Sequence, residues 1–492
     1  MKKAAAFLLL LSGCAVGPDY KRPTVETPAA YREAGRWQAA APKDAAERGK
    51  WWAIFNDPSL DALMAQVEVS NQTLAAAEAQ VRVAAALADQ SRSQWWPTLD
   101  ARVSRTESKP SSTTGPIVGQ ASSRRIINAL QFSATWEADL WGRIRRLVES
   151  GDASTRASAA DLLNARLSAQ AELAQSYFQL RALDAQKRLL DETVAAFEKT
   201  LELTRNRYNQ GVVSRGDVAQ AETQLATTRA QALDTSVQRA SLEHAIAVLL
   251  GKPAPSFQLA RADLAAAAPA IPPAGVPADL LERRPDIAAA ERRVEAANAQ
   301  IGVARAAFFP TATIGATLGY QTANPALWFN APSRFWSLGP ALALTLFDAG
   351  RRSAVVDQRM AEYDQTVAQY RGTVLQAFRE VEDNLAALRI LEEESRIVDE
   401  AVNAAQQSLE ITLNQYKAGI ATYLQVVTAQ TALLSNQRSA LDLRSRRIVA
   451  TVLLVRALGG GWEPSAVVPA KAGSKQPVSV VPAKAGTQVL EK

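Results

Sequence analysis

Hydrophobic and polar positions along this chain follow two different periods. In Leu130–Leu140, the residues Leu130, Phe132, Ala134, Trp136 and Ala138 interleave with Gln131, Ser133, Thr135, Glu137 and Asp139. Side chains alternate across a strand, so this run has one apolar and one polar face. Leu99, Ala101 and Val103 interleave likewise with Asp100, Arg102 and Ser104. A third run carries Ala312, Ile314, Ala316, Leu318 and Tyr320, and a fourth carries Leu338, Leu342, Leu344 and Leu346. The pattern predicts strands at about 97–107, 127–140, 310–322 and 335–347, each close to the roughly 9–11 residues of a tilted membrane-spanning strand. One such strand alone more often belongs to a soluble sheet. Here aromatic residues flank all four: Trp95, Trp96, Trp141, Phe308, Phe309 and Phe347 at one end, and Trp328, Phe329, Phe335 and Trp336 toward the other. Aromatic girdles of this kind mark the two interfaces of a bilayer. Four strands cannot close a barrel, and an open edge in lipid would strand backbone polar groups. Several chains must therefore share one barrel.

Elsewhere the period is helical. The stretches Arg143–Asn209 and Arg351–Lys417 contain no proline, and at about 1.5 Å per residue each would reach roughly 100 Å as a helix. Met360, Val367, Val374, Val381 and Leu388 recur every seven residues, with Tyr363, Tyr370, Ala377 and Leu391 on the adjoining seam, which predicts coiled-coil packing. The two periods occur in the same order twice. Asn71–Thr98 realigns without a gap on Arg284–Thr311, and a second ungapped register pairs LWGR at Leu140–Arg143 with DAGR at Asp348–Arg351 and YNQG at Tyr208–Gly211 with YKAG at Tyr416–Gly419. The chain is thus read as a duplicated α+β membrane protein. The first repeat spans 59–251, with a turn at 210–216, and the second spans 280–459, with a turn at 418–423. An N-terminal segment occupies 14–58, an Ala/Pro-rich linker 252–279, and a tail containing VVPAKAG twice, read as disordered, 460–492.

The termini bear on location. Lys2 and Lys3 precede the apolar run Ala4–Leu11 and then Ser12-Gly13-Cys14, a short secretion signal (1–13) closing in a lipobox-like LSGC. Cys14 is the only cysteine, so it is the expected lipidation site, carrying diacylglycerol and an N-acyl chain. A run of eighteen apolar residues is absent, so no transmembrane helix is expected. The formal charge of +6 becomes +4 once Lys2 and Lys3 leave with the signal (6 − 2 = 4), and no basic patch points to nucleic acid. His244 is the single histidine. With no nucleophile set, phosphate loop or spaced metal ligands, the sequence predicts conduction rather than catalysis, with neither cofactor nor metal.

Three strings then carry a resemblance: CAVGPDYKRP from Cys14, WWAIFNDPSLDAL at Trp51–Leu63 and LLERRPDIAAAE at Leu280–Glu291. Over roughly Cys14–Trp462 the chain resembles outer membrane factors, specifically the OprM/NodT-type lipoprotein branch of the TolC superfamily. The resemblance implies a homotrimer whose chains give four strands each to a twelve-stranded barrel in outer membrane lipid. The helices would continue it as a periplasmic tunnel, meeting a periplasmic adaptor (membrane fusion) protein and an inner-membrane RND-type transporter. It also implies that the two turns, with Gly211 and Gly419, form a gated tip. Tyr416 and Asp217 are the candidates for a hydrogen bond across neighbouring hairpins that keeps it shut. Acidic residues that commonly ring such a tip fall here on Gln425 and Thr428, which predicts weaker cation selectivity. Two alternatives stand beside the efflux duct: a type I protein-secretion exit, and a structural periplasmic coiled-coil lipoprotein or adaptor.

Overall fold

The computed structural model describes residues 15–34, 48–109, 111, 124–264 and 283–460. Cys14 and the signal segment, the linker from residue 265, and the tail beyond Gly460 lie outside them. In chain order the elements are α1 (Pro58–Ser70), α2 (Gln72–Ser93), β1 (Thr98–Ser108), β2 (Arg125–Ala138), α3 (Arg143–Asn209) and α4 (Arg215–Leu249). There follow α5 (Pro285–Ala306), β3 (Thr311–Thr322), β4 (Arg334–Ala343), α6 (Arg351–Lys417) and α7 (Tyr423–Ala457). The duplication is exact in helix length: α2 and α5 have 22 residues each, α3 and α6 have 67, and α4 and α7 have 35.

Two strands differ from expectation at their ends. β2 stops at Ala138 because Asp139 leaves the ladder to cap α3, accepting from the backbone N–H of Ile144 at 3.0 Å and Arg145 at 2.9 Å. A carboxylate at a helix start satisfies N–H groups that have no partner within the helix. β4 stops at Ala343 rather than residue 347. Its partner there is Thr311, the first residue of β3, and the preceding Pro310 has no N–H to extend the ladder.

The long helices α3 and α6 serve both halves of the molecule. Toward the sheet, the layer runs α2–α3–α5–α6; away from it, α4–α3–α7–α6. From Tyr370 on, the seven-residue seam of α6 is a real core: Val374, Val381 and Leu388 are buried with Tyr370 and Ala377 against Ile287 and Val294 of α5 and Leu454 of α7, whereas Met360 at its start is exposed. A second core lies at the middle of α3, the equator of the helical layer. Trp51, Trp52 and the α1 residues Leu60, Met64 and Val67 pack on Leu173, Tyr177 and Phe178 of α3 and on Ile448 and Val452 of α7. Asp57 starts α1 by accepting from Ser59 and Leu60, and its other oxygen accepts from Tyr177 at 2.6 Å, fixing the small helix to the long one.

The N-terminal residues form a strap over this frame. The Val16 N–H donates to the Trp141 carbonyl at 3.0 Å, and Asn298 donates to the Pro18 carbonyl at 2.9 Å. Arg146 pairs with Asp19 at 2.8 Å. At the far end, Tyr31 is buried and the backbone N–H groups of Arg32 and Glu33 donate to Glu382 at 2.7 and 2.9 Å.

Candidate functional site

The four strands form one antiparallel sheet in the order β1-β2-β3-β4, and its register sorts the two faces. Leu99, Ala134, Ala316 and Leu338 form one row across the sheet; Ala101, Phe132, Leu318 and Trp336 form the next. On the opposite face, Asp100, Ser133, Thr317 and Ser337 align, followed by Arg102, Gln131, Gly319 and Phe335. The alternation read along each strand therefore adds up across all four. On the apolar face Leu99, Trp336 and Leu342 are each more than 70% exposed, so this surface lacks a partner among the described residues. A wide, unpartnered apolar band opposite a polar face suits a wall with lipid on one side and water on the other. β1 and β4 are its open edges.

Where the sheet meets the helices, the aromatic residues gather. Trp141 stacks on Phe309 with ring centroids 4.9 Å apart and donates its Nε1–H to the Pro310 carbonyl at 2.8 Å. Trp136 donates to the Trp95 carbonyl at 2.9 Å. Phe308 lies under the Arg352 guanidinium at 5.2 Å, and Trp95 and Trp96 are exposed. Indole rings that are partly exposed but have their N–H groups satisfied suit an interface with one apolar and one wet side. Trp336, by contrast, sits near the outer end of β4, on the apolar face. Ala15, the first described residue, packs against this rim: a Cβ placed on Gly142 would lie 2.9 Å from the Ala15 Cα.

At the other end of the molecule the two hairpins turn. Gly211 and Gly419 have φ of 74° and 78°, the left-handed region that closes a helix at low cost only for glycine. In each turn the same pair of bonds forms: Gly211 to Tyr208 and Val212 to Arg207, then Gly419 to Tyr416 and Ile420 to Gln415. The return helices also start alike. The Asp217 carboxylate accepts from Ser214 N–H and Oγ at 2.9 Å each, and Gln425 Oε1 accepts from Thr422 N–H at 2.8 Å. Thr428 is exposed and donates to the Leu424 carbonyl at 2.9 Å.

The expected bond between Tyr416 and Asp217 does not form in the chain. Asp217 is committed to its cap. Tyr416 is 1% exposed, and its hydroxyl lies 3.2 Å from Thr204 Oγ1 on the other hairpin. Arg207 stacks over the Tyr416 ring at 4.6 Å and donates to its carbonyl. Tyr423 completes the cluster, 5.9 Å from Tyr416 edge to face. Burial, reinforced by Tyr416 and Asp217, pushes its phenol up to about 12. Thr204, Arg207 and Tyr423 were not legible as a group, because the duplicated register pairs Tyr416 with Tyr208, which is 41% exposed. Neither string says which copy is buried.

His244 is exposed on α4. Among the described residues, no group of three or more acidic, His or Cys side chains is placed to hold a metal ion, and no helix is long and apolar enough to cross a membrane.

The model of the outer membrane efflux protein family matches residues 63–252 and 276–460, which is both repeats. The chain belongs to that family. Among relatives of this efflux family, the chain is 32% identical over 475 residues to a probable efflux pump outer membrane protein, TtgC, of Pseudomonas putida, covering 93% of this chain and 95% of the relative. It is 31% identical over 458 residues to the pyoverdine export outer membrane protein OpmQ of Pseudomonas aeruginosa, covering 92% and 95%. Among solved structures, the outer-membrane channel OprN matches with a TM-score of 0.84 at 31% identity, over 91% of this chain and all of that one. The outer membrane protein VceC of Vibrio cholerae matches with a TM-score of 0.78 at 31% identity, over 84% and 99%. The fold is that of these outer membrane channels, a four-stranded sheet per chain continued by a helical tunnel wall.

Proposed function

We propose a working assembly for the activity that the family fixes: the chain is the outer membrane channel of a tripartite efflux system. In this reading three copies join β4 of one chain to β1 of the next, closing a barrel of twelve strands with the polar rows inside. The observation that carries it is the two-faced sheet with both edges unpaired among the described residues, continued directly into helices of roughly 100 Å. Catalysis has no part in this. Water, the polar strand face and a tip that opens are enough for passive conduction from a pump to the exterior, and a periplasmic adaptor and an inner-membrane transporter of the RND type are the partners that such a duct requires. The efflux reading is favoured over protein secretion by the relatives, among them efflux pump outer membrane proteins and a pyoverdine export protein.

Lipid anchoring at Cys14 belongs to the same proposal. Ala15 packs on Gly142 beside Trp141, so acyl chains on the preceding residue would start at the aromatic rim and enter the leaflet directly. The test is imaging of the protein purified from outer membranes, with intact-mass measurement of its N-terminus. A threefold particle with one barrel and a lipid-sized mass increment, lost in Cys14→Ser, is expected. A soluble elongated monomer would sink the channel, and an unmodified N-terminus would sink the anchor alone.

A further inference from the structure

Below the equator the helical layer holds a groove of about 1320 Å³ whose walls come from α3, α4, α6 and α7. Its side of the layer can be read from α3. Tyr177 and Arg181 of α3 hold the equatorial segments, through Asp57 at 2.6 Å and the Ala260 carbonyl at 2.6 Å. Gln186, which lines the groove, is nine residues beyond Tyr177 and therefore roughly 180° around the helix. The groove thus opens on the face opposite the equatorial layer, the face that the proposed trimer turns inward. In the closed assembly that side is the tunnel.

About half of this surface is polar, and most of its polar residues are uncharged. Gln224, Gln231 and Gln238 recur every seven residues along α4, facing Thr431 and Ser435 of α7. Arg438 of α7 stands among them with an unusual set of partners. Its Nη1 donates to Gln231 Oε1 at 3.4 Å. With the Gln186 amide oriented so that its oxygen faces the guanidinium, that oxygen accepts from Nη2 at 3.0 Å and Nε at 3.1 Å. Two amides fix the plane of the guanidinium without neutralising it, and of its five N–H groups two stay available. The other charges on the groove are Arg446, paired with Asp442 at 3.8 Å, and Glu394, contributed by α6. Asp442 already has its partner, so Arg438 and Glu394 remain as single opposite charges on separate helices.

The geometry points to Arg438 as an anion-binding subsite of the tunnel wall, selecting permeants that carry a carboxylate or phosphate group. A guanidinium with two forward N–H groups grips such oxyanions in the fork geometry that a lysine lacks. Repeated in every subunit, it forms a ring of cations of the kind that favours anions in pores. The polar, uncharged surround offers the rest of a permeant weak, replaceable hydrogen bonds, so the site holds without trapping. This inference rests on the channel reading above.

The test uses the full-length protein in planar bilayers, with inorganic pyrophosphate added to each side in turn, since the barrel side reaches the groove without passing the tip. Conductance itself tests the channel; block by pyrophosphate tests the subsite. Concentration-dependent block is expected, weakened at least about tenfold in Arg438→Gln, which removes both forward charge-assisted hydrogen bonds, and retained in Arg446→Gln. Arg438→Lys, which keeps the charge but not the fork, should fall between. Conducting wild-type channels that show no block, or equal block in wild type and Arg438→Gln, would overturn the assignment. An SDS-resistant trimer of each variant guards against misassembly.

Discussion

The Tyr416 phenol meets Thr204 at 3.2 Å across the two hairpins, while Asp217 turns its carboxylate back on Ser214. Within the chain the two hairpins are therefore joined by a buried aromatic contact and a guanidinium, and the acidic residue caps its own helix. Tyr416→Phe should cost about 1 kcal/mol of tip stability, the usual net worth of one hydrogen bond. The cost stays small because Thr204 keeps its bond to the Thr200 carbonyl at 2.9 Å. Arg207→Ala should cost more, since it removes both the stacked cation and the donor to the Tyr416 carbonyl. Single-channel recordings should show a higher open fraction in both. Asp217→Ala should fray the start of α4 by about 1 kcal/mol and add to Tyr416→Phe without coupling. A coupling energy above about 0.5 kcal/mol in the double-mutant cycle would restore the direct latch.

Tyr423 gives the tip an alkaline limit. Its folded pKa of about 12 exceeds the ordinary phenol value of 10.0, so below pH 10 both folded and open states hold the neutral phenol and nothing changes. Above pH 10 the exposed phenol ionises first, and the closed tip loses stability as pH rises toward 12. Conductance of the wild-type channel should climb over that window and that of Tyr423→Phe should climb less. Identical titrations of the two proteins would remove Tyr423 from the closing contact.

The sheet predicts a sharp difference between neighbours. Leu338 lies on the apolar face beside Ala316, and Ser337 lies on the polar face beside Thr317. Leu338→Arg should destabilise the barrel by about 2–4 kcal/mol, the cost of arginine at mid-depth on a lipid face, and should deplete the heat-modifiable oligomer in outer membrane fractions. Ser337→Arg should assemble normally and alter conductance only. Equal assembly of both variants would mean that the sheet does not face lipid.

Strand and helix periods were readable because each is enforced over many residues. Leu99 to Val103 alternates regardless of what the rest of the chain does, and Val374, Val381 and Leu388 repeat because one seam must stay against α5 and α7. The duplication was readable because lengths were kept, not only residue types. What failed was local. The end of β4 depends on where its partner β3 begins, a fact about Thr311 and not about Leu344 or Leu346. The role of Asp217 depends on whether its carboxylate finds Ser214 N–H before any other donor, which geometry decides. Arg438 has no local signal in the sequence, because its amide partners Gln186 and Gln231 lie more than two hundred residues earlier in the chain.

Arg284, inside the LLERRPDIAAAE string, locks the second repeat together. Its guanidinium side chain is 8% exposed and pairs with Asp286 at 2.6 Å and Glu380 at 2.8 Å, and it donates to the Ala457 carbonyl at 3.0 Å in the last turn of α7. One side chain thereby joins α5, α6 and α7. Arg284→Met keeps the length and loses every bond, leaving two largely buried carboxylates and an unpaired carbonyl, for a cost of about 1–3 kcal/mol. Thermal melting of the purified oligomer should show the drop, and Arg284→Lys should recover only part of it because it cannot serve three acceptors in one plane. A melting temperature unchanged in Arg284→Met would show that apolar packing alone holds this junction.

Selectivity at the tip follows from the cap chemistry of the two return helices. Asp217 and Gln425 occupy the same place in the two copies, and both spend a side-chain oxygen on their own helix start. Only Asp217 adds a negative charge, and Arg207, Arg215 and Lys417 stand in the same turns. Gln425 and Thr428 supply none. A ring that lacks a majority of carboxylates cannot concentrate cations or chelate a divalent ion, so reversal potentials in a salt gradient should show weak cation preference at most, and millimolar divalent cations should leave the current unblocked. Gln425→Asp with Thr428→Asp should create both properties. Strong cation selectivity in the wild type that persists in Asp217→Asn would contradict this account, because no other carboxylate lies in either turn to produce it.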